Sequence, residues 1–137
     1  LKEGNDGSKP ETFDFLGFTH YMGRSRKGKP ILKRKTSKKK FRQSLKKVEA
    51  WLKENRHTRL ADLVILLNQK LRGHYNYYGV TFNSRKLGSY YHQVKRKLFK
   101  WLNRRGGKRR LTWPRFTQVI EQDLPLEKPM IKHSFVS

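Results

Sequence analysis

The sequence contains no cysteine and no long apolar run. Without cysteine, its 137 residues can form neither disulfide bonds nor thiolate metal sites. No stretch approaches the roughly 18 apolar residues that a transmembrane helix needs, and no signal-peptide pattern is present. These absences exclude a disulfide-stabilised scaffold and a transmembrane helix, and they favour a protein of the cytoplasm.

Negative charge is also scarce. Only 10 residues are Asp or Glu, against 34 Lys or Arg, which gives a net charge of +24. No carboxylate occurs from Phe15 to Val48 or from Leu63 to Ile120, so these segments predict a polyanion-binding surface rather than a salt-bridged one. Such an excess of one charge opposes compaction and is typical of proteins that bind nucleic acid. For any single cation, an ordinary solvated helix surface is the alternative.

Apolar spacing predicts a mainly α protein with a short β-hairpin, a three-helix bundle, a short fourth helix and an extended tail. Residues 11–21 carry apolar side chains on both parities, which predicts one strand packed on both faces. Residues 31–35 return as the second strand of the hairpin. Helical stripes follow over residues 36–56, 58–79 and 83–106, and the short loops between them imply antiparallel neighbours.

Polar residues that can cap helices precede each of the three stripes. Thr36 or Ser37 can cap the first helix, Thr58 the second, and Asn83 or Ser84 the third. Their side-chain oxygens can accept hydrogen bonds from the backbone N–H groups that a helix start leaves free. The predicted helix starts therefore agree with the predicted stripes.

The segment LRGHYNYYGV, residues 71–80, concentrates aromatic side chains with polar tips. Leu71, Tyr75 and Tyr78 fall on the apolar stripe of the second helix, which predicts that these side chains belong to the core. Gly73 in the middle of a helix costs about 1 kcal/mol relative to Ala, which indicates a close neighbour, either a packed helix or a phosphate backbone. Three residues leave the stripe and are candidates for contact with nucleic acid: Arg72, Asn76 and Tyr77.

Four segments together resemble one known family. FDFLGFTHY, LNQKLRGHYNYYGV, VKRKLFKWLNRR and TWPRF are similar to the C-terminal part of group II intron-encoded reverse transcriptase/maturases. The resemblance implies that four residues stand at the primer-grip end of the polymerase palm: Phe15, Leu16, Gly17 and Phe18. It also implies that the middle helix of the thumb includes Lys70, Leu71, Arg72, Gly73, Tyr75, Asn76, Tyr77 and Tyr78.

The same resemblance divides the chain into three parts. Residues 1–35 correspond to the end of the reverse-transcriptase palm with its β-hairpin, and residues 36–106 to the helical bundle called the thumb, maturase-specific or X domain. Residues 107–137 form a basic linker, a short helix and a C-terminal tail. Because the sequence starts at Leu1 within a polar stretch, we expect a fragment or a processed product of a longer chain.

The polymerase chemistry of that family needs carboxylates that this sequence does not group. The family motif is a Tyr-x-Asp-Asp turn that holds two Mg²⁺ ions with a third aspartate, whereas the aspartates here are widely separated: Asp6, Asp14, Asp62 and Asp123. Two metal ions about 4 Å apart require clustered carboxylates. We therefore expect no catalytic residue, no metal site and no cofactor in this segment, with Mg²⁺ confined to the absent polymerase site of a parent RNA-directed DNA polymerase. The five histidines lack metal-ligand spacing and are expected to be structural or solvent-facing.

The basic runs supply most of the predicted nucleic-acid contacts. They lead into the first helix, continue on the second and third, and extend past the Gly106–Gly107 pair. The full predicted set is Lys33, Arg34, Lys35, Lys38, Lys39, Lys40, Arg42, Lys70, Arg72, Asn76, Tyr77, Lys95, Arg96, Lys97, Lys100, Arg104, Arg105, Lys108, Arg109 and Arg110. Cations of this kind contact phosphates, and such contacts position a nucleic acid without reading its sequence.

The expected function is that of an RNA-binding thumb/maturase segment that supports intron splicing and reverse transcription. Its expected partners are group II intron RNA, the RNA template–primer duplex, a DNA target and the remainder of the reverse-transcriptase chain, in a ribonucleoprotein of the bacterial cytosol or an organelle matrix. One alternative is a stand-alone basic RNA- or DNA-binding protein without a maturase role. Another is a membrane-surface binder, because the first helix is cationic and amphipathic, but the bundle needs the apolar stripe of that helix. We therefore expect no membrane partner.

Overall fold

A three-stranded antiparallel sheet precedes the helices in the chain. The structure, a computed structural model, describes residues 11–106 and 110–133. The strands are β1 (Thr12–Phe15), β2 (Phe18–Arg24) and β3 (Pro30–Thr36), in the spatial order β1-β2-β3. The helices are α1 (Lys38–Glu54), α2 (Leu60–Tyr78), α3 (Ser84–Leu102) and α4 (Trp113–Gln118), and a π-helical turn, Val119–Asp123, continues α4. The predicted fold class, mainly α with a short fourth helix and a tail, is confirmed.

The first predicted strand is wrong in one respect, because residues 11–21 form two strands. Phe15 pairs with Phe18, and the two residues between them make the turn. Leu16 has φ 53° and Gly17 has φ 88°, and positive φ at both central residues is what a type I′ turn requires. Apolar side chains occur at both odd and even positions because the chain reverses direction here. The sheet therefore has three strands, where the sequence predicted a two-stranded hairpin.

The core is built by the predicted apolar stripes. On α2, Leu63, Leu67, Leu71 and Tyr75 are fully buried, as the spacing predicted. The stripe of α3 and the fourth helix complete this core with a set of buried residues: Leu87, Val94, Leu98, Phe116 and Ile120. Tyr78 is also buried, so the prediction that two tyrosines of the 71–80 segment belong to the core is confirmed.

The predicted caps are only partly confirmed. Ser37 caps α1, and its side chain accepts a hydrogen bond of 3.2 Å from the backbone N of Lys40. Thr58 does not cap α2, which begins one residue later than predicted, with Arg59 at the N-cap and no side-chain cap bond. Asn83 occupies the N-cap position of α3, but its side chain does not cap the helix.

Asn83 instead joins the sheet to the bundle. Its side chain is fully buried. Its Oδ1 accepts a hydrogen bond of 2.8 Å from the backbone N of Thr36, and its Nδ2 donates to Thr36 Oγ1 and to the carbonyl of Tyr78, each at 2.8 Å. One amide therefore holds together the end of β3, the end of α2 and the start of α3.

The extended tail runs along α2. The backbone N of Glu127 donates to Asn68 Oδ1 at 2.7 Å, and Tyr75 Oη donates to the carbonyl of Glu127 at 2.8 Å. The tail approaches the end of α2 so closely that a Cβ atom on Gly79 would lie 3.0 Å from a tail carbonyl oxygen. At Gly73, by contrast, a Cβ atom would meet no described atom within 4 Å. A packed helix therefore does not explain Gly73, and the phosphate-backbone alternative stays a prediction.

Candidate nucleic-acid interface

A cleft of about 240 Å³ lies where the β1–β2 turn meets the start of α1, and we call it the hairpin cleft. It brings together residues that the sequence assigned to two separate groups, the primer-grip-like turn and the basic run of α1. Its lining consists of Asp14, Phe15, Leu16, Gly17, Ser37, Lys39, Lys40 and Gln43. The backbone N of Ser37 donates to the carbonyl of Gly17 at 2.9 Å, so the turn is fastened to the helix start.

The predicted primer-grip residues do not all have the same environment. Phe15 and Leu16 are 60% and 67% exposed at the tip of the hairpin. Phe18 is buried and stacks on Tyr77, with ring centroids 5.6 Å apart. Tyr77 Oη donates a hydrogen bond to the carbonyl of Leu16. Phe18 therefore supports the tip from below, while Tyr77, predicted to touch nucleic acid, also fixes the tip to α2.

A glycine is needed at position 17 for two reasons. Its φ of 88° lies in the left-handed region, and a Cβ atom there would lie 2.8 Å from Tyr78 Oη and 3.4 Å from Lys40 Cγ. A glycine beside a strand often marks the close approach of another group. The approaching group among the described residues is a core tyrosine.

The start of α1 carries positive charge from two sources. Its first turn contains Lys38, Lys39 and Lys40 and no acidic residue, and the free N–H groups of a helix start add a partial positive charge. Arg42 is exposed one residue beyond Phe41. Among the described residues, none of these four cations forms an ion pair. A helix start of this kind favours a bound phosphate.

Strand β3 continues the basic surface. Its ladder with β2 pairs Tyr21 with Lys33 and Thr19 with Lys35, and alternate side chains of a strand point to opposite faces. Lys35 lies over the ring of Tyr21, with its Nζ 5.2 Å from the centroid. Arg34 pairs across with His20, on the other face of the sheet.

Comparison with known families decides the identity of this helical unit. The family model described as "Group II intron, maturase-specific domain" matches residues 38–118, more than half of the chain. The chain belongs to this family. The match begins at the first residue of α1 and ends at the last residue of α4, and it confirms the resemblance on which the sequence analysis relied. Comparisons with curated proteins and with solved structures returned no significant match.

Two lysines of α3 in the maturase domain form ion pairs with a glutamate of α1. Lys97 Nζ lies 2.9 Å and Lys100 Nζ 2.7 Å from the carboxylate of Glu49 on α1, and Trp101 Nε1 donates to the same group at 3.1 Å. Hydrogen bonds from Lys100 and Lys97 lower the pKa of Glu49 to about 2. The prediction of an unbridged surface is therefore wrong on this face of α3. The pairs join residues about fifty positions apart, so sequence spacing gave no signal for them.

Three other predicted contact residues also have intramolecular partners. Lys95 is only 7% exposed, lies 3.6 Å from Glu121 and faces the ring of Trp113. Arg72 pairs with Glu127 of the tail at 3.2 Å. Arg105 donates to the carbonyl of Thr58 at 2.6 Å. These side chains stabilise the maturase domain whatever else they bind.

The remaining predicted contact residues are spread over the surface. Lys70 lies over Trp51 and Arg104 over Trp101, with the charged groups 4.9 and 5.5 Å from the ring centroids. The carbonyl of Asn76 lies 2.8 Å from His133 Nε2. Arg96 and Arg110 are exposed. Lys108 and Arg109 lie outside the described residues.

A second cleft, of about 280 Å³, surrounds a neutral histidine and is called the histidine cleft. It is lined by Ser44, Lys47, Val48, Lys70, His74 and Tyr90. The rings of His74 and Tyr90 are parallel, with centroids 3.6 Å apart. Burial lowers the pKa of His74 from 6.5 to about 4, and its Nε2 has no hydrogen-bond partner among the described atoms. The packed ring gives His74 a structural role, where the sequence predicted a structural or solvent-facing role for each histidine.

The lowered pKa of His74 predicts a loss of stability in mild acid. The unfolded chain binds a proton at the ordinary pKa of 6.5, whereas folded His74 stays neutral down to about pH 4, so protonation favours unfolding in this window. We expect the free energy of unfolding to fall by about 2 kcal/mol between about pH 7 and pH 5. Urea denaturation at several pH values measures this fall. In His74→Phe, which keeps a ring against Tyr90, the fall should disappear, whereas the exposed-site control His92→Phe should retain it.

The described residues contain neither a metal-binding cluster nor a membrane-spanning helix. Across residues 11–106 and 110–133, no group of three or more His, Asp or Glu side chains is placed to hold a metal ion. No helix in these ranges is both long and apolar enough to cross a bilayer.

Proposed function

We propose that this maturase domain grips structured group II intron RNA, and the template–primer duplex in the intact protein, through contacts to phosphates. In this way it supports intron splicing, by stabilising the active RNA fold, and cDNA synthesis. The observation that carries the proposal is the hairpin cleft, where a primer-grip-like turn and two lysines of α1 line one concave surface. Membership of the maturase family makes group II intron RNA the partner to expect.

The chemistry of the cleft suits a sugar–phosphate backbone better than a base edge. Lys39 and Lys40 carry flexible point charges without the planar fork of arginine, so they can follow phosphates in several positions. Exposed Phe15 and Leu16 offer apolar contact beside these charges. Contacts of this kind fix the orientation of a nucleic acid without specifying its sequence, so selectivity comes from RNA shape.

The exposed face of the sheet supports a further partner, the remainder of the reverse-transcriptase chain. Three apolar side chains on this face that do not line the hairpin cleft are each more than half exposed: Phe13, Met22 and Leu32. They surround buried His20, on which Phe13 stacks with centroids 4.7 Å apart. Apolar patches of this kind mark interaction sites, and the palm that precedes the hairpin in this family is the proposed cover. The Mg²⁺ ions of polymerisation would belong to that palm, in a ribonucleoprotein of the bacterial cytosol or an organelle matrix.

A competition experiment tests the proposed function. The chain is bound to labelled group II intron RNA and challenged with unlabelled intron RNA, with an unrelated structured RNA and with duplex DNA of equal length. We expect intron RNA to compete at least tenfold better than either, which corresponds to about 1.4 kcal/mol of binding free energy. Equal competition by all three would support the alternative, a basic protein that binds any polyanion, and would refute the maturase role.

A further inference from the structure

A third cleft, the largest of the three at about 800 Å³, lies between the β2–β3 turn and the loop that joins α2 to α3. We call it the turn cleft. Its lining contains five cations and no carboxylate: Arg24, Ser25, Arg26, Lys27, Lys29, Pro30, Ile31, Lys33, Thr81 and Phe82. Of these cations, only Lys33 was predicted from the sequence to bind nucleic acid. The volume falls in the range of pockets that hold ligands the size of a nucleotide.

Hydrogen bonds within the β2–β3 turn hold these cations in place. The backbone N of Ser25 donates to the carbonyl of Lys29 at 2.8 Å, and Ser25 Oγ accepts from the backbone N of Lys29 at 3.1 Å. Arg24 Nη1 donates to the carbonyl of Gly28 at 2.8 Å, and Gly28 has φ 81°. The turn therefore has a defined backbone that directs Arg26 and Lys27 outward, and less ordering entropy is lost when an anion binds.

Phe82, in the loop between α2 and α3, lines the turn cleft in a strained conformation. Its φ is 77°, a region that costs a bulky residue energy. The neighbouring backbone fixes this conformation, since Asn83 N donates to the carbonyl of Val80 and Thr81 N donates to the carbonyl of His133, both at 3.1 Å. The Phe82 ring is still 36% exposed, and Lys33 Nζ lies 4.7 Å from its centroid. Strain that the surrounding structure maintains at an exposed aromatic ring is a feature of binding sites.

We propose that the turn cleft binds an unpaired RNA nucleotide, with its base stacked on Phe82 and its flanking phosphates held by Arg26, Lys27 and Lys29. A base inside a duplex cannot reach a ring in a cleft, whereas an unpaired base can leave its strand and stack on an aromatic side chain. Lys33 then moves from the ring to an adjoining phosphate. The inference rests on the proposed function for the class of partner. It adds a second contact site at the end of strands β2 and β3 opposite to the hairpin cleft.

The site predicts a difference between single-stranded and paired RNA. Stacking of one base on an aromatic ring is worth about 5- to 150-fold in affinity. In Phe82→Gly we expect the affinity for a short oligouridylate to fall by about tenfold, while the affinity for a blunt RNA duplex of equal charge stays within about twofold. Phe82→Tyr, which keeps an aromatic ring, should bind the oligouridylate as the parent chain does.

The glycine variant also separates binding from folding. Glycine tolerates a φ of 77° without strain, which offsets part of the burial lost with the ring, and thermal unfolding of Phe82→Gly verifies that the variant is folded. A 5-iodouridine in the oligouridylate should cross-link to Phe82 on irradiation, with the site mapped by mass spectrometry. Equal losses for oligouridylate and duplex, or a cross-link that maps away from the turn cleft, would overturn the proposal.

A charge variant completes the test. In Arg26→Gln/Lys27→Gln/Lys29→Gln, the loss of phosphate contacts should lower the affinity for both RNAs. The affinity for the oligouridylate should fall more than the affinity for the duplex. A failure of the proposed function would give a different result. Intron RNA and duplex DNA would then compete equally, while Phe82→Gly would still lower the affinity for oligouridylate more than the affinity for duplex RNA. If intron RNA still competes best but Phe82→Gly affects the two short RNAs equally, only the turn-cleft proposal is refuted.

Discussion

Raising monovalent salt from about 50 to about 200 mM should weaken the binding of this maturase domain to intron RNA by about 10³- to 10⁵-fold. That range applies to a protein that neutralises roughly six to ten phosphates, because each neutralised phosphate releases condensed counterions. The cations on β3 and at the start of α1 number seven, five of them exposed, so they account for the lower part of this range. Those of α3 contribute less, since Lys97 and Lys100 already share the carboxylate of Glu49.

A matched pair of variants locates these contacts. Lys38→Gln/Lys39→Gln/Arg42→Gln removes three cations beside the hairpin cleft and should lower the slope of log affinity against log salt by about three. Lys53→Gln/Arg59→Gln/Lys128→Gln removes the same charge at exposed positions elsewhere and should lower it by less than one. Fluorescence anisotropy at several salt concentrations gives both slopes. Equal changes in the two variants would mean that net charge alone drives binding, with no interface at α1.

Asn83→Ala should lower the free energy of unfolding by about 3 kcal/mol. The substitution removes three buried hydrogen bonds and leaves the backbone N of Thr36 and the carbonyl of Tyr78 without their side-chain partner. A buried polar group deprived of its partner costs about 1–3 kcal/mol, and the cavity left by the amide adds to this cost. The effect is large because a single side chain connects β3, α2 and α3.

Urea denaturation followed by circular dichroism measures this loss. Ser84→Ala, at the adjacent exposed position, is the control and should change the stability by less than about 0.5 kcal/mol. Asn83→Asp keeps the acceptor for Thr36 but loses the donor and buries a charge, so it should be at least as destabilising as Asn83→Ala. A loss below about 1 kcal/mol in Asn83→Ala would show that the sheet is held on the bundle by other contacts.

Local features of the fold could be predicted because they depend on near neighbours in the chain. The stripe from Leu63 to Tyr75 recurs with helical spacing, and burial of those residues follows from that spacing alone. The turn at Leu16–Gly17 was missed because a strand apolar on both faces and two short strands joined by a tight turn have the same apolar pattern. Thr58 was chosen as a cap for its side chain, but the helix starts after Arg59, and residue type alone does not fix such a boundary.

The candidate site was predicted as a set of residues rather than as a surface. The excess of lysine and arginine indicated nucleic acid, but it did not distinguish cations that lie free at the start of α1 from Lys95, which is buried against Glu121. It also overlooked Arg26 and Lys27, which line the turn cleft together with Thr81 and Phe82 of the distant α2–α3 loop. Distances between residues remote in sequence decide both points.

By itself, the sequence determined the helical stripes, the aromatic core and the family to which the chain belongs. It also determined the net positive charge, which indicates a polyanionic partner. The tertiary structure decided which cations remain free for phosphates, since Glu49 reaches α3 only when α1 and α3 pack together. It also decided where the clefts lie, because each is formed by segments that are distant along the chain. Periodicity and composition are properties of neighbouring residues, whereas ion pairs and concave surfaces arise only from long-range packing.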